Sequence, residues 1–206
     1  MESVILYIYE LGCTAIPAFL AFVSIRRFRV SDESCGKTPS IALGATFAVY
    51  LFALLHFTGA GTIHDAMRFG LDLNPAQINL VPFREFQEDV GGHVLNVILF
   101  VPLGVFAHAF SCRRPALFPA SMMATATSLA IEISQLLNSR VTDIDDLLMN
   151  TIGALIGYAV CRVLTRRGRP DREPRLGIAA AMIAIAFAAR FFLYDEMGLA
   201  KILFGF

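Results

Sequence analysis

Hydrophobic residues fall into six runs, each long enough to form a helix that crosses a lipid bilayer. The runs are Val4–Ile25, Ile41–Phe57, Val94–Phe110, Pro115–Leu137, Leu147–Leu164 and Leu176–Tyr194. A bilayer core needs roughly 17–25 apolar residues at about 1.5 Å of rise per residue. The chain has 206 residues, 56% of them hydrophobic, and a mean hydropathy of +0.64. The pattern predicts an all-α, polytopic membrane bundle of about six transmembrane helices, with residues 1–206 forming one transmembrane domain.

Basic residues are distributed unequally between the connections of these runs, although the formal net charge is zero. Of the 17 Lys and Arg residues, 12 fall on the side of the first, third and fifth connections. The other five are Arg68, Arg84, Arg140, Arg190 and Lys201. Because short basic loops stay in the cytoplasm, the split predicts that both termini lie outside.

The stretch between the second and third runs, from Thr58 to His93, is predicted to be an outer loop with short interfacial helices. Thr62–Phe69 has a weakly amphipathic pattern, and Phe83, Phe86 and Val90 share one face of a second short piece. Both could lie in the plane of the membrane interface. The Asn74-Pro75 and Val81-Pro82 pairs should break any continuous helix between them.

Polar residues recur at helical spacing on three of the predicted spans, always near the outer boundary. The three faces are Ser128, Glu132 and Gln135; Asp146, Asn150, Gly153 and Gly157; and His93, Asn96 and Phe100. A charged side chain costs on the order of 2.5–3.5 kcal/mol at the bilayer centre on insertion scales. The three faces should therefore turn toward one another around a wet pocket that opens outward. Gly153 and Gly157 should let the fifth helix approach the fourth closely.

The acids Asp143, Asp145 and Asp146 allow two interpretations. Clustered carboxylates suit a hard cation such as Mg²⁺ or Ca²⁺, which makes these three the candidate metal ligands. Alternatively, Thr142 and Asp145 have the spacing of a capping box, and acids in a first turn stabilise the positive end of a helix. The sequence leaves both open.

Glu132 indicates a site more strongly than the aspartates do, because it lies well inside a predicted span and a charged group there needs a partner. Arg140 and His93 are the candidate partners, and a purely structural ion pair is the simpler alternative. Arg190 is expected to snorkel to the interface, and the Ala-rich last helix to act only in packing.

Four motifs follow one another in the middle of the chain. They are Asn79-Leu80-Val81-Pro82-Phe83; Asn96 with Phe100-Val101-Pro102-Leu103-Gly104; Glu132-Ile133-Ser134-Gln135; and Arg140 through Asp143-Ile144-Asp145-Asp146 to Asn150-Thr151-Ile152-Gly153. In these motifs the chain resembles the VanZ-like family over about residues 47–162. The resemblance implies a bacterial integral membrane protein, and the member that gives the family its name is associated with low-level teicoplanin resistance. It implies no reaction.

The first functional hypothesis is an envelope protein whose outer pocket binds a cell-surface lipid, a glycan precursor or a lipophilic glycopeptide, with a role in antibiotic tolerance. Its ligand-binding residues would be Asn79, Pro82, Phe83, His93, Asn96, Glu132, Gln135, Arg140, Asp143, Asp145, Asp146 and Asn150. The second is a metal-assisted membrane enzyme acting on a lipid-linked phosphate, with Glu132, His93 and Asp145 as candidate catalytic residues. The third is a membrane scaffold. No cofactor other than a divalent cation is expected, and the expected partners are membrane lipids or envelope precursors, not nucleic acid.

Cysteine labelling tests the predicted orientation. In a background without the four native cysteines, a cysteine at Ser139 should react in intact cells with a membrane-impermeant thiol reagent, and one at Gly168 should not. The reason is that Gly168 lies in the strongly basic fifth connection, which the positive-inside rule retains in the cytoplasm. The reverse labelling pattern would place the motifs in the cytosol.

Overall fold

A computed structural model describes residues 2–29, 39–70, 77–83, 90–111, 117–138, 140, 142–165 and 176–204. The helices are α1 (Glu2–Arg29), α2 (Ile41–Phe57), α3 (Ile63–Phe69), α4 (Val90–Phe110), α5 (Leu117–Gln135), α6 (Ile144–Leu164), α7 (Gly177–Leu193) and α8 (Glu196–Phe204). A 3₁₀ turn, Leu136–Asn138, follows α5, and two short strands, β1 (Ile78–Asn79) and β2 (Thr142–Asp143), pair in parallel. The helical class predicted from the sequence is confirmed.

Three helical segments in the described part of the chain are long and apolar enough to cross a membrane. They are Val4–Phe28, Val90–Phe110 and Ile144–Leu164, and α7 with α8 would make a fourth if this pair, bent by 43°, counts as one span. The predicted number of about six is not confirmed. Helix α2 has 17 residues and spans about 26 Å, less than the roughly 30 Å of a typical hydrocarbon core. Helix α5 carries Ser, Thr, Glu and Gln side chains along its length.

Helices α4 and α6 form the most extensive helix pair, and glycine makes their close approach possible. A Cβ atom at Gly153 would overlap the carbonyl oxygen of Val97, and one at Gly157 would overlap that of Val101. From the other side, a Cβ at Gly104 would overlap the carbonyl oxygen of Ala154. We call Gly104, Gly153 and Gly157 the α4–α6 seam. The prediction that Gly153 and Gly157 face the preceding helix, α5, is wrong, because that surface of α6 contacts α4.

The direction of the helices follows from these contacts. Val97 meets Gly153 and Val101 meets Gly157, so α4 and α6 run in the same direction and begin at the same end of the bundle. Helices α2, α5 and α7 end there, as their contacts with the start of α1, with Gly61 and with the start of α6 show. We call this end of the bundle the motif end.

An aromatic cluster holds the opposite end of α1, α2 and α4 together. The Phe47 ring lies 4.7 Å from that of Phe106 and 5.2 Å from that of Phe110, and Phe22 meets Phe110 edge-on at 6.1 Å. Phe22, Phe47 and Phe110 are fully buried. The buried apolar core continues from this cluster toward the motif end, through Leu51, Leu54 and Ile131.

Between α2 and α4 the chain forms a helix, α3, where the first of the two interfacial helices was predicted. Helix α3 begins in a capping box, in which Thr62 accepts from the Asp65 N–H and the Asp65 side chain accepts from the Thr62 N–H. Its Met67 and Phe69 side chains are exposed, as an interfacial helix requires. Most of the second predicted piece, residues 84–89, lies outside the described residues. Just before it the chain forms strand β1.

Substitution of Gly157 should test the α4–α6 seam. Gly157→Ala should lower the unfolding free energy by about 1–3 kcal/mol, because the added methyl group must push two backbones apart. Gly12→Ala is the matched control, since a Cβ there would meet only Ile16, at 4.0 Å. Thermal unfolding midpoints in one detergent compare the two. Equal midpoints for Gly157→Ala and the wild type would show that the seam is not tightly packed.

Candidate functional site

The first motif is held against the start of α6 by backbone pairing. Ile78 pairs with Thr142 and Asn79 with Asp143 in the parallel strand pair. The Asn79 side-chain amide also donates to Asp143 Oδ2 at 3.1 Å. Two motifs separated by more than sixty residues in sequence are therefore joined at one place.

Asp145 fixes the end of the same segment. Both of its carboxylate oxygens accept from the Phe83 N–H at 2.9 Å, and the residue has no exposed surface. Phe83 has a φ of 61°, in the left-handed region that costs a bulky residue roughly 1–2 kcal/mol. Strain of this kind persists where the surrounding contacts impose it, and such positions cluster at functional sites. Pro82 and the Phe83 side chain remain exposed.

Asp143 caps helix α6, by accepting from the Asp145 N–H at 2.9 Å. The predicted capping box of Thr142 and Asp145 is wrong. The Thr142 hydroxyl instead donates to the Glu132 carbonyl oxygen at 3.0 Å, which ties α6 to the end of α5. Helix capping, one of the two interpretations of these acids, therefore occurs, but the N-cap residue is Asp143 and not Thr142.

Two amide pairs connect the predicted polar faces. Asn96 on α4 donates to Asp146 Oδ1 at 2.6 Å, and Asn150 on α6 donates to Ser128 Oγ on α5 at 2.9 Å. His93 is buried, and its Nδ1 atom lies 3.8 Å from Asp146 Oδ1. The structure thus brings α4, α5 and α6 together through the residues that the sequence analysis selected.

Glu132 is buried, and its Oε2 atom accepts from the Asp143 N–H at 3.2 Å. Neither predicted partner forms an ion pair with it among the described residues. Arg140 instead donates from Nη1 to the Thr58 carbonyl oxygen at 3.0 Å, and His93 faces Asp146. The prediction failed because a backbone N–H at the start of α6 reaches this carboxylate.

Gln135 and Arg140, the remaining predicted binding residues, contact the end of α2 and not the acids at the start of α6. Gln135 Nε2 donates to the Thr58 carbonyl oxygen at 2.6 Å, beside the Arg140 bond to the same atom. Asn138 donates to the Gly59 carbonyl oxygen at 3.1 Å, and the Gly61 N–H donates to Ser134 Oγ at 3.0 Å. The motif residues near the end of α5 therefore contribute to two neighbouring places, the start of α6 and the end of α2.

The three aspartates do not form a metal centre in the part of the chain that the structure describes. No group of three or more His, Cys, Asp or Glu side chains there is arranged to hold an ion. Their oxygens accept from Asn79, from Asn96, and from the N–H groups of Phe83 and Asp145. These donors do not fit the predicted cation site.

A cavity of about 410 Å³ opens at the motif end, next to the end of α2. Arg140 lines it, whereas the other predicted binding residues do not. Its remaining polar wall comes from Glu10, His56, Asn138, Arg190 and other side chains. This cavity is thus built mostly from residues that the sequence analysis left without a functional role.

Three of those residues form a buried cluster. Arg190 donates from Nε and Nη2 to Glu10 Oε1, both at 2.9 Å, and from Nη1 to the Ala60 carbonyl oxygen. His56 Nδ1 lies 2.7 Å from Glu10 Oε2. Glu10 is 1% and Arg190 6% exposed. The predicted snorkelling of Arg190 is therefore wrong, and α7 does more than pack.

The sequence did contain a signal for this cluster. Glu10 is a lone acid in the first apolar run, and Arg190 is a lone base in the last. Each lies toward the motif end of its helix. Opposite charges at one depth in two spans predict a pair, since an unpaired charge there is costly.

These features define a helical membrane protein with polar motifs from several helices joined at one end. The sequence model of the VanZ/LLP1 family matches residues 45–165, more than half of the chain. The chain belongs to the VanZ/LLP1 family, and the resemblance seen in the four motifs is confirmed. Glu10 and Arg190 lie outside the matched region. No curated protein and no solved structure matches the chain.

Asp145→Asn should release the first motif from α6. It replaces a buried, charged acceptor by an amide and should lower the unfolding free energy by about 1.5–3 kcal/mol. Hydrogen–deuterium exchange should become faster at the Phe83 amide. Glu196→Gln, a change at an exposed acid, is the control. Unchanged exchange at Phe83 in Asp145→Asn would contradict the assigned role of this carboxylate.

Proposed function

We propose that this protein is a bacterial plasma-membrane protein whose motif end faces outward and binds an amphiphilic envelope ligand. The ligand is a cell-surface lipid, a lipid-linked glycan precursor or a lipophilic glycopeptide such as teicoplanin. By binding it, the protein contributes to antibiotic tolerance. The binding surface is the first motif together with the acids at the start of α6.

The observation that carries the proposal is the first motif itself, an exposed apolar tip on a rigid base. Leu80, Val81 and Phe83 have exposed fractions of 67%, 56% and 58%. The segment that bears them is held by strand pairing and by buried Asp145. A fixed apolar surface of this kind is suited to an acyl chain or another lipophilic group, because little order has to be gained when the ligand binds.

The polar part of the surface is rich in acidic side chains. Asp143, Asp145, Asp146 and Glu132 meet where α6 begins, and among the described residues they accept hydrogen bonds from side-chain amides and backbone N–H groups. The positive end of α6 helps to stabilise the acids. The Asp146 side chain remains 33% exposed. Such a surface favours ligand groups that donate hydrogen bonds, including sugar hydroxyls and amines.

Nothing in the described part of the chain specifically favours the enzyme hypothesis. It requires carboxylates that converge on a cation, and the aspartates here are turned to different donors. The scaffold hypothesis remains the alternative outcome of the binding test.

Binding by apolar-tip variants tests the proposal. The full chain in maltoside micelles should bind teicoplanin or a lipid-linked glycan precursor, and the double variant Leu80→Ala/Phe83→Ala should bind about tenfold more weakly or worse. The reason is that each side chain contributes roughly 1.5–3 kcal/mol when fully buried by a ligand. Surface plasmon resonance gives the dissociation constants.

Ile98→Ala is the matched control, because Ile98 is similarly exposed, at 59%, on α4. Its affinity should equal that of the wild type. If neither ligand binds the wild type, or if the double variant binds as well as the control, the envelope-ligand proposal falls and the scaffold hypothesis gains support.

A further inference from the structure

We propose that the 410 Å³ cavity is the subsite for a phosphate-bearing head group, with Arg140 on the phosphate oxygens and His56 on a hydroxyl of the ligand. The inference rests on the proposed function, since it names the head group of the ligand and the residues that take it. Ligand cavities generally measure roughly 300–1,000 Å³, so the volume suits a head group of this size.

Arg140 is the basic group that the cavity leaves available. Among the described residues, no carboxylate lies within 4.0 Å of its guanidinium group. Its Nη1 atom is held by the Thr58 carbonyl oxygen, and the guanidinium lies so close to Gly59 that a Cβ there would overlap it. Gly59 has a φ of 63°, which favours glycine at this position. The fork of Arg140 is therefore held in place before any ligand binds, and its planar donors match an oxyanion.

Arg190 and three carboxylates complete the charged part of the wall. Arg190 is paired with Glu10. Asp65 Oδ2 accepts from both the N–H and the hydroxyl of Thr62, and Glu196 is an exposed residue at the start of α8. Neither Asp65 nor Glu196 has an ion pair among the described residues. An anion is therefore favoured at the Arg140 fork itself, and not by the charge of the wall as a whole.

His56 supplies the second polar contact. Its Nδ1 atom bonds to Glu10, and three aromatic rings fix its plane, with centroids 5.1 Å away for Tyr7, 5.7 Å for Phe52 and 5.3 Å for Phe57. Nδ1 is taken by the carboxylate, so Nε2 is the ring nitrogen that is left for a ligand. No described residue bonds to Nε2, and the side chain is 29% exposed. A ligand hydroxyl, which can both donate and accept, can therefore form a hydrogen bond with Nε2, and Glu10 is the positioning residue of His56.

Head groups that carry both a phosphate and a hydroxyl satisfy these two contacts together. The phosphate could belong to a lipid or be free in solution. Three probes separate these sources: dioctanoyl phosphatidylglycerol, inorganic phosphate and dioctanoylglycerol. The last has two acyl chains and a hydroxyl but no phosphate.

Isothermal titration calorimetry on the full chain in maltoside micelles tests the proposal. The wild type should bind dioctanoyl phosphatidylglycerol at least tenfold more tightly than dioctanoylglycerol. Arg140→Gln should remove about tenfold of that affinity, because a charge-assisted contact is lost, and Arg140→Lys should fall between the two. His56→Gln should lose a smaller factor.

Arg162→Gln is the matched control, an exposed base at the other end of α6, and its affinity should be unchanged. Each variant is first checked for wild-type elution and melting midpoint, and Arg140→Lys carries the test if Arg140→Gln fails this check. Arg140-dependent binding of inorganic phosphate would support a free phosphate as the source, and binding of the lipid alone would support a lipid head group. The subsite falls if both acylated probes bind equally, if no probe binds, or if Arg140→Gln binds as the wild type does.

The two proposals can fail separately. Loss of affinity in Leu80→Ala/Phe83→Ala without any effect of Arg140→Gln would retain the apolar tip and remove the cavity subsite. The opposite result would retain the cavity and remove the apolar tip.

Discussion

The backbone contact between α4 and α6 is the constraint on which the motif end depends. Without Cβ atoms at Gly153 and Gly157, the two helices touch through carbonyl oxygens and Cα atoms along several turns. That contact fixes the register of the two helices along their axes as well as the distance between them. Because they run in the same direction, their first turns meet at one level, and Asn96 can reach Asp146 at 2.6 Å. A bulkier residue in the α4–α6 seam would therefore act on the polar contacts as well as on the packing.

A second constraint comes from charges held inside the bundle. A buried carboxylate requires donors, and the two groups of acids obtain them differently. At the start of α6 the described donors are mainly amides and N–H groups, which carry no charge of their own. Glu10 instead receives a guanidinium group and an imidazole. Glu10 and Arg190 lie outside the region matched by the family, so this second arrangement joins the flanking helices to the core that the family shares.

Much of the motif end could be predicted from the sequence, because helical spacing and the family motifs are local patterns. The faces of α4, α5 and α6 that carry Asn96, Glu132 and Asp146 do meet. Pair assignments failed where backbone groups competed with side chains. Glu132 met the Asp143 N–H instead of Arg140, and Thr142 bonded to a carbonyl oxygen instead of capping α6. Spacing along one helix does not reveal which backbone groups a neighbouring element leaves free.

Contacts between segments that are far apart in sequence were the other feature that could not be predicted. The partner helix of Gly153 depends on how three helices are arranged, and i, i+4 spacing fixes only the face. The strand pairing of Asn79 with Asp143 joins two dipeptides, which are too short to show an alternating pattern. The pair of Glu10 and Arg190 spans 180 residues of sequence. It could have been predicted only by comparing how deep the two residues lie in their spans. The sequence around each residue gives no indication of the other.

The short connection from Glu132 to Asp143 links both proposed contact regions. On one side it bears the Asp143 carboxylate that binds Asn79, and on the other it bears the Arg140 guanidinium that binds the Thr58 carbonyl oxygen. Glu132 and Thr142 close the connection on itself. An amphiphile with its lipophilic part on the apolar tip and its head group in the cavity would therefore bind two surfaces that are close together along the chain. Such a site would recognise how the two parts of the ligand are spaced as well as their separate chemistry.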